Sequence, residues 1–404
     1  MGFKTSILLV LLIATAEGAD KGPITWKKTV VEGKFRSEGV AVADVNKDGK
    51  NDVLVGDFWY EAPSWAQHEI RKPLKDYGDG LQGYSDCMAA WADDINGDGW
   101  ADQVVVGFPG NAAIWYENPQ GKPGHWPRHE IWPSACNETP LYADLFGDGR
   151  RVLIMGCQPK GQDTQGTMAW FAPGRDPNQP WEMHLVSEQG GPNRKGIPGT
   201  QRFSHGLGAG DLNGDGRKDV ICTGGWWEQP ESAKTGSNPW TFHPANLGEA
   251  AADMIVYDIN GDKKADIIDS SAHHNGIWSF EQGASKDGNP AFTRHDLFPD
   301  LTSETHAMVA ADINGDGLVD LVTGKRFWSH GKGEKGWDRP AIITWLEASR
   351  TAEGKVTFTP REVDNDSGIG TQFTVLDFNG DGLLDVVTSN KKGIFILEQV
   401  RGSN

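Results

Sequence analysis

Residues 205–230 read HGLGAGDLNGDGRKDVICTGGWWEQP. A run of small residues leads into the pattern D-x-N-x-D-G-x-x-D over 211–219, and an apolar run and a pair of tryptophans follow. The same frame recurs as DVNKDGKND at 44–52, DINGDGWAD at 94–102, DINGDKKAD at 258–266, DINGDGLVD at 312–320 and DFNGDGLLD at 377–385. A degenerate copy, DLFGDGRRV, stands at 144–152. A unit of this size cannot bury its apolar face alone, so stacked copies, and not the length of 404 residues, set the architecture.

Each unit has the same internal order. A small-residue strand precedes the Asp loop, a β-rich strand follows it, and an aromatic strand then ends near Glu, as in FWYEAP, IWYENP and GWWEQP. A last strand carries a recurring His, as in QHEI at 67–70 and RHEI at 128–131. Four short strands per copy with turn residues between them predict propeller blades. The seventh copy stops after its third strand, and 24–33 (ITWKKTVVEG) reads as a fourth strand with no inner strand before it. The expectation is an all-β, seven-bladed β-propeller of four-stranded blades over 20–404, with the N-terminal strand closing the last blade. The 52 glycines and 17 tryptophans suit tight turns between aromatic strands.

Side-chain oxygens at alternate positions, a Gly for a sharp turn and a closing carboxylate form an oxygen cage for a hard cation. The predicted calcium ligands are Asp44, Asn46, Asp48 and Asp52; Asp94, Asn96, Asp98 and Asp102; Asp211, Asn213, Asp215 and Asp219. The later loops add Asp258, Asn260, Asp262 and Asp266; Asp312, Asn314, Asp316 and Asp320; Asp377, Asn379, Asp381 and Asp385. Up to six structural Ca2+ ions follow, the alternative being Asn/Asp/Gly turns that need no metal. The copy at 144–152 has Phe146 and Val152 at ligand positions and is expected to bind none. Lys263 replaces the usual Gly and is expected to weaken its loop.

The net charge of −18 argues against nucleic acid, which is held through Lys and Arg on phosphates. Much of this acidity lies in the Asp loops. Residues 1–18 read as a signal peptide, with Lys4, an apolar run over 7–14 and small residues after it, so export to the periplasm or the extracellular space is expected. No stretch approaches the ~20 apolar residues of a membrane span. Cys136 and Cys157 flank the degenerate copy and are the best-placed pair for a disulfide, with free buried thiols as the alternative; Cys87 and Cys222 stand apart.

The end of the ring opposite the Asp loops carries the residues that break the repeat. Five of the 11 histidines (His68, His129, His184, His243, His295) share the fourth-strand position and are read as structural, and His125 is isolated. The other five (His205, His273, His274, His306, His330) fall near inner-strand starts and second loops of blades four to six. Tyr84, Glu138, Glu304, Lys325, Arg326, Lys391 and Lys392 fall at the same end. Extra residues at 158–166, 190–200 and 330–339 are expected to decorate a functional face. Trp226, Trp227 and Trp328 could stack on sugar rings, or serve between blades. A solvated basic rim with incidental histidines is the bland alternative.

The D-x-N-x-D-G-x-x-D units resemble the FG-GAP/VCBS-type repeat, which implies a seven-bladed propeller with calcium loops like those of integrin α-subunits. RFSHGLGAGDLNGDGRKD, GGWWEQP, VTGKRFWSHG and SNKKGIF, within about 200–397, are similar to exported proteins related to the propeller of aldos-2-ulose dehydratase. That resemblance implies a metal-assisted lyase acting on keto-sugars, with His205, His273 and His306 as the matching pocket residues.

Two functions are carried forward. In the first, the chain is a carbohydrate lyase or dehydratase. A divalent metal, zinc or manganese, on His205, His306 and one of His273 and His274 polarises a sugar carbonyl. A free His or Tyr84 takes the proton, and Lys325 and Arg326 stabilise the enediolate. In the second, it is a non-catalytic propeller that binds a glycan or a cell-surface protein. Convergence of the five irregular histidines is the feature that separates them. No G-x-S-x-G, P-loop or H-E-x-x-H is present.

Overall fold

The computed structural model describes residues 22–402, except 79, 237 and 285–288; the expected signal peptide lies outside the described residues. Seven four-stranded antiparallel sheets follow one another along the chain. Blade 1 comprises Ala41–Ala43, Asp52–Val55, Phe58–Glu61 and Ala66–Glu69. Blades 2 to 6 repeat that order, with inner strands Ala89–Asp93, Leu141–Ala143, Leu207–Gly210, Ile255–Tyr257 and Met308–Ala311. In blade 7, Thr374–Leu376, Asp385–Asn390 and Gly393–Arg401 are completed by Ile24–Glu32, which pairs antiparallel with Gly393–Arg401. The ring is thus closed by hydrogen bonds between its two ends, as expected. Among the described residues no helix is long and apolar enough to cross a membrane.

The core lies between blades. One apolar cluster joins blades 1 and 2 through Leu54, Ile70, Ala90 and Tyr116, and another joins blades 4 and 5 through Ile221, Trp226, Met254 and Trp278. Inner strands must approach closely at the axis, which explains their small residues. A Cβ on Gly208 would lie 2.3 Å from the Met254 carbonyl oxygen, so only Gly fits there. Trp226 and Trp227 are 2% exposed, which removes both from the predicted sugar-stacking set. All four cysteines are free and buried, so the expected Cys136–Cys157 pair is not formed.

Four of the five fourth-strand histidines pack against tryptophans, while His295 faces Glu281 at 3.6 Å. His68, His129, His184 and His243 stack on Trp59, Trp115, Trp170 and Trp226, with ring centroids 3.8–4.3 Å apart. Nε2 of His68, His129 and His243 meets the Glu at the end of the third strand or directly after it (Glu61, Glu117, Glu228) at 2.8–3.0 Å.

The Asp loops join the first and second strands of each blade. Asp at position 1 accepts hydrogen bonds from the loop's own amides, as Asp94 does from Asp98 N at 2.9 Å and Gly99 N at 2.8 Å. The closing Asp has a separate task. Asp52, Asp102, Asp219, Asp266, Asp320 and Asp385 have no exposed surface. Each accepts one amide from loop position 2 and a second from a residue in or just beyond the third strand. For Asp102 these are Ile95 N at 3.0 Å and Asn118 N at 2.8 Å. For Asp219 they are Leu212 N and Gln229 N, both at 2.9 Å. The closing carboxylate therefore staples the loop to the third strand.

The degenerate blade tests this assignment. Val152 replaces the carboxylate, and the register Leu153↔Phe171, matched to Val53↔Tyr60 of blade 1, places Pro173 where Ala62 donates. Proline has no N–H, so acceptor and donor are missing together, an exchange that can be nearly neutral where losing one partner is not.

Candidate functional site

The strand order sends the Asp loops to one end of the ring and the irregular histidines to the other. His205 and His306 stand two residues before the inner strands of blades 4 and 6, and both are held the same way. Phe203 and Glu304 adopt left-handed backbone (φ 66° and 53°), a conformation that costs energy in a non-Gly residue and tends to persist at functional sites. Their carbonyls accept Nδ1–H of His205 at 2.8 Å and of His306 at 3.0 Å. A ring whose Nδ1 is the donor turns Nε2 outward as its remaining nitrogen, the atom a proton or a metal would take.

Both Nε2 atoms face Glu138, which enters at the start of blade 3. Glu138 Oε2 lies 3.5 Å from His205 Nε2 and 4.0 Å from His306 Nε2. His205 Nε2 is buried and makes no hydrogen bond. Two acceptors aimed at one another are favourable only around a proton or a cation. Burial pushes the Glu138 carboxyl up, but His205, Arg326 and His330 outweigh it and hold it at about 2, as a carboxylate. Burial, reinforced by Arg326, holds His306 well below the usual imidazole range and therefore neutral. Two imidazoles and a carboxylate are a donor set that fits zinc, manganese or iron(II).

The irregular histidines converge, with one exception. Ring centroids of His205 and His273 are 4.6 Å apart, those of His273 and His330 4.7 Å, and those of His306 and His330 5.6 Å. His274 is exposed and lends the structure its backbone, its carbonyl accepting Glu304 N, so it leaves the predicted site. The residue whose ligand atom lies with those of His205 and His306 is Glu138 and not His273. The 330–339 insertion supplies His330 and Glu334 to this end of the ring.

The predicted oxyanion cations are committed elsewhere. Lys325 is 1% exposed, pairs with Glu304 and donates to the Gly336 carbonyl at 2.9 Å. Arg326, also 1% exposed, pairs with Glu38 and donates to Glu138 at 3.2 Å. It therefore positions the carboxylate of the trio. Tyr84 OH donates to the Ser329 carbonyl at 2.9 Å, and burial raises its pKa, so it is a poor base. Lys391 lies over the Tyr84 ring, 4.3 Å from its centroid, and burial pushes its amine down to about 8.

Glu38, Glu138, His205 and His306 each stand six residues before the first Asp of their loop. This single repeat position forms the axial ring of polar groups. Reading the repeat in register at that position identifies Glu138, which a search for irregular histidines passes over. Glu334 lies in an insertion and carries no such signal.

Beside Tyr84, a groove of about 360 Å3 is lined by Lys75, Tyr77, Asp86, Phe108 and Asn111. On the Asp-loop side, closing carboxylates feel the other Asp residues of their loops. Burial, with Asp98 and Asp94 adding to it, pushes Asp102 up to about 7, and the same causes raise Asp219 to about 7. A cation bound among them would relieve that repulsion. In the degenerate loop Asp148 is met by Lys234 at 2.6 Å and by Arg150 at 3.0 Å, the latter as Lys50 meets Asp48 in blade 1 at 3.0 Å.

Residues 258–323 match the FG-GAP-like repeat family. No curated protein sequence matches the chain. Among solved structures it is similar to rhamnogalacturonan lyase YesW, with 14% identity and a TM-score of 0.44 over 93% of this chain and 74% of that one. It is also similar to the V. cholerae biofilm matrix protein Bap1, with 18% identity and a TM-score of 0.31 over 73% of this chain and 45% of that one. Likeness at this level says nothing of activity. The chain is a seven-bladed β-propeller that carries an FG-GAP-like repeat.

Proposed function

We propose that the protein is an exported, calcium-stabilised carbohydrate lyase or dehydratase whose divalent metal is held by His205, His306 and Glu138. The carrying observation is the shared construction of the two histidines, each with Nδ1 tied to a main-chain carbonyl and Nε2 turned to one carboxylate. Such ties fix the tautomer and orientation that metal-ligating histidines need. Bound there, the ion would act as a Lewis acid on a sugar carbonyl and raise the acidity of the adjacent C–H. Lys391, with its amine near 8, is the proton acceptor, replacing Tyr84 in that role. Arg326 keeps Glu138 ionised and aimed at the two imidazoles. The neighbouring groove, with Tyr77, Tyr84 and Phe108 beside Asn111 and Lys75, supplies aromatic faces and polar groups suited to a sugar ring.

Calcium in the six intact Asp loops would hold the blade hairpins and take no part in the chemistry. The competing reading, a glycan-binding or protein-binding propeller without catalysis, is favoured by the same aromatic groove. A screen against keto-sugars and oxidised glycosides, followed by ultraviolet absorbance of new conjugated products, separates the two. Product formed by the wild type and lost in the His205→Ala/His306→Ala variant supports the lyase. Saturable glycan binding that is unchanged in that variant, with no product from either protein, supports the binding reading and sinks the lyase.

A further inference from the structure

The axial trio leaves three neighbouring groups unused. His273, from the loop after the second strand of blade 5, and His330 and Glu334, from the insertion of blade 6, bring their ligand atoms within 4.8 Å of one another. Glu334 Oε1 is 2.7 Å from His273 Nδ1 and 3.0 Å from His330 Nδ1. These separations approach the edge of a coordination tetrahedron, which for metal–ligand bonds of about 2.1 Å is about 3.4 Å. Glu334 Oε2 is buried and makes no hydrogen bond. The three side chains are 29%, 25% and 17% exposed, so the group can be reached from solvent.

The local charges divide in a way that singles out this group. Lys325 is matched by Glu304, and Arg326 is shared between Glu38 and Glu138. Glu334 has no Lys or Arg partner among the described ion pairs, and the two imidazoles are what it meets. We infer that His273, His330 and Glu334 form a second divalent-cation site beside the His205–His306–Glu138 site. Ser329 Oγ stands between them, 3.4 Å from His306 Nε2 and 3.0 Å from His330 Nδ1. Two cations there would lie close enough to hold two oxygens of one substrate, the arrangement that two-metal sites use.

The second site has its own ligands and does not require the first to be filled. The test is cobalt(II) titration of the full-length chain in excess calcium, after removal of bound metal. The visible d–d bands of imidazole-ligated cobalt are followed together with stoichiometry. Two Co2+ per chain with these bands are expected, falling to one in Glu334→Gln and to one in Glu138→Gln. His330→Asn is a second probe of the inferred site, and thermal melts of each variant check that it folds. One Co2+ per chain that survives in Glu334→Gln and His330→Asn but is lost in Glu138→Gln overturns the second site and leaves the first. One Co2+ that survives in Glu138→Gln and is lost in Glu334→Gln upholds the second and removes the first. No imidazole-type cobalt overturns both.

Discussion

Asp102→Asn isolates the closing carboxylate of one Asp loop. In the wild type its two oxygens take Ile95 N at 3.0 Å and Asn118 N at 2.8 Å, on a side chain with no exposed surface. The amide keeps one acceptor and turns an N–H2 toward the other backbone donor. That donor is left unpaired at about 1–3 kcal/mol, and the surviving bond loses its charge at about 1 kcal/mol, for a total near ~3 kcal/mol. With an unfolding entropy of about 2.1 cal/mol/K per residue, a folded chain of this size has about 0.8 kcal/mol/K, so the melting temperature falls by about 4 °C. Scanning calorimetry in excess calcium and again in chelator is the assay. The drop should persist in chelator, because both amides need an acceptor whether or not an ion is bound. A variant that melts with the wild type in chelator and differs only in calcium would show that Asp102 acts as a ligand alone, and the staple would be refuted.

Three further outcomes are expected. Val152→Asp places a carboxylate opposite Pro173 and should destabilise the degenerate blade by about 3 kcal/mol, with Pro173→Ala recovering about 1–2 kcal/mol in a double-mutant cycle; additivity would contradict the pairing. Lys263 holds φ 67° where six other loops place Gly at 84–89°, so Lys263→Gly should stabilise by about 0.5–1 kcal/mol in denaturant unfolding, net of the added freedom of Gly in the unfolded chain. Asp269 is fully buried, neither oxygen is hydrogen-bonded, and burial raises its pKa well above the usual carboxylate value. The folded state then holds a proton that the unfolded state releases near pH 4, so stability should fall by up to about 1.4 kcal/mol per pH unit as pH rises from there toward the folded-state value. Asp269→Asn should flatten that slope in melts from pH 4 to 8, and an unchanged slope would contradict it.

The fold was legible because the repeat names its own boundaries: the truncated seventh copy and the unpaired strand at 24–33 left one way to close the ring. Four of the five irregular histidines converge because they depart from the repeat while standing at its inner end, and a departure is visible in one sequence. His273 and His274 share one loop and the sequence does not choose between them, because adjacent residues need not face the same way. Trp226 and Trp227 were ambiguous for a physical reason, since tryptophan fills the space between blades as readily as it meets a sugar. The closing Asp shows the same kind of degeneracy, because a carboxylate at position 9 is equally apt for an ion and for two amides. Its staple role becomes readable from sequence only when Val152 and Pro173 are seen to change together. Lys325 and Arg326 looked free because their partners, Glu304 and Glu38, are 21 and 288 residues away along the chain.

The account rests on a metal at the axial mouth, and an anomalous-difference map from a crystal grown with zinc or manganese tests it most directly. The predicted result is a peak about 2.0–2.2 Å from His205 Nε2, His306 Nε2 and the nearer Glu138 oxygen. Peaks confined to the Asp loops, with His205 Nε2 hydrogen-bonded to Glu138 and no density between them, would contradict it.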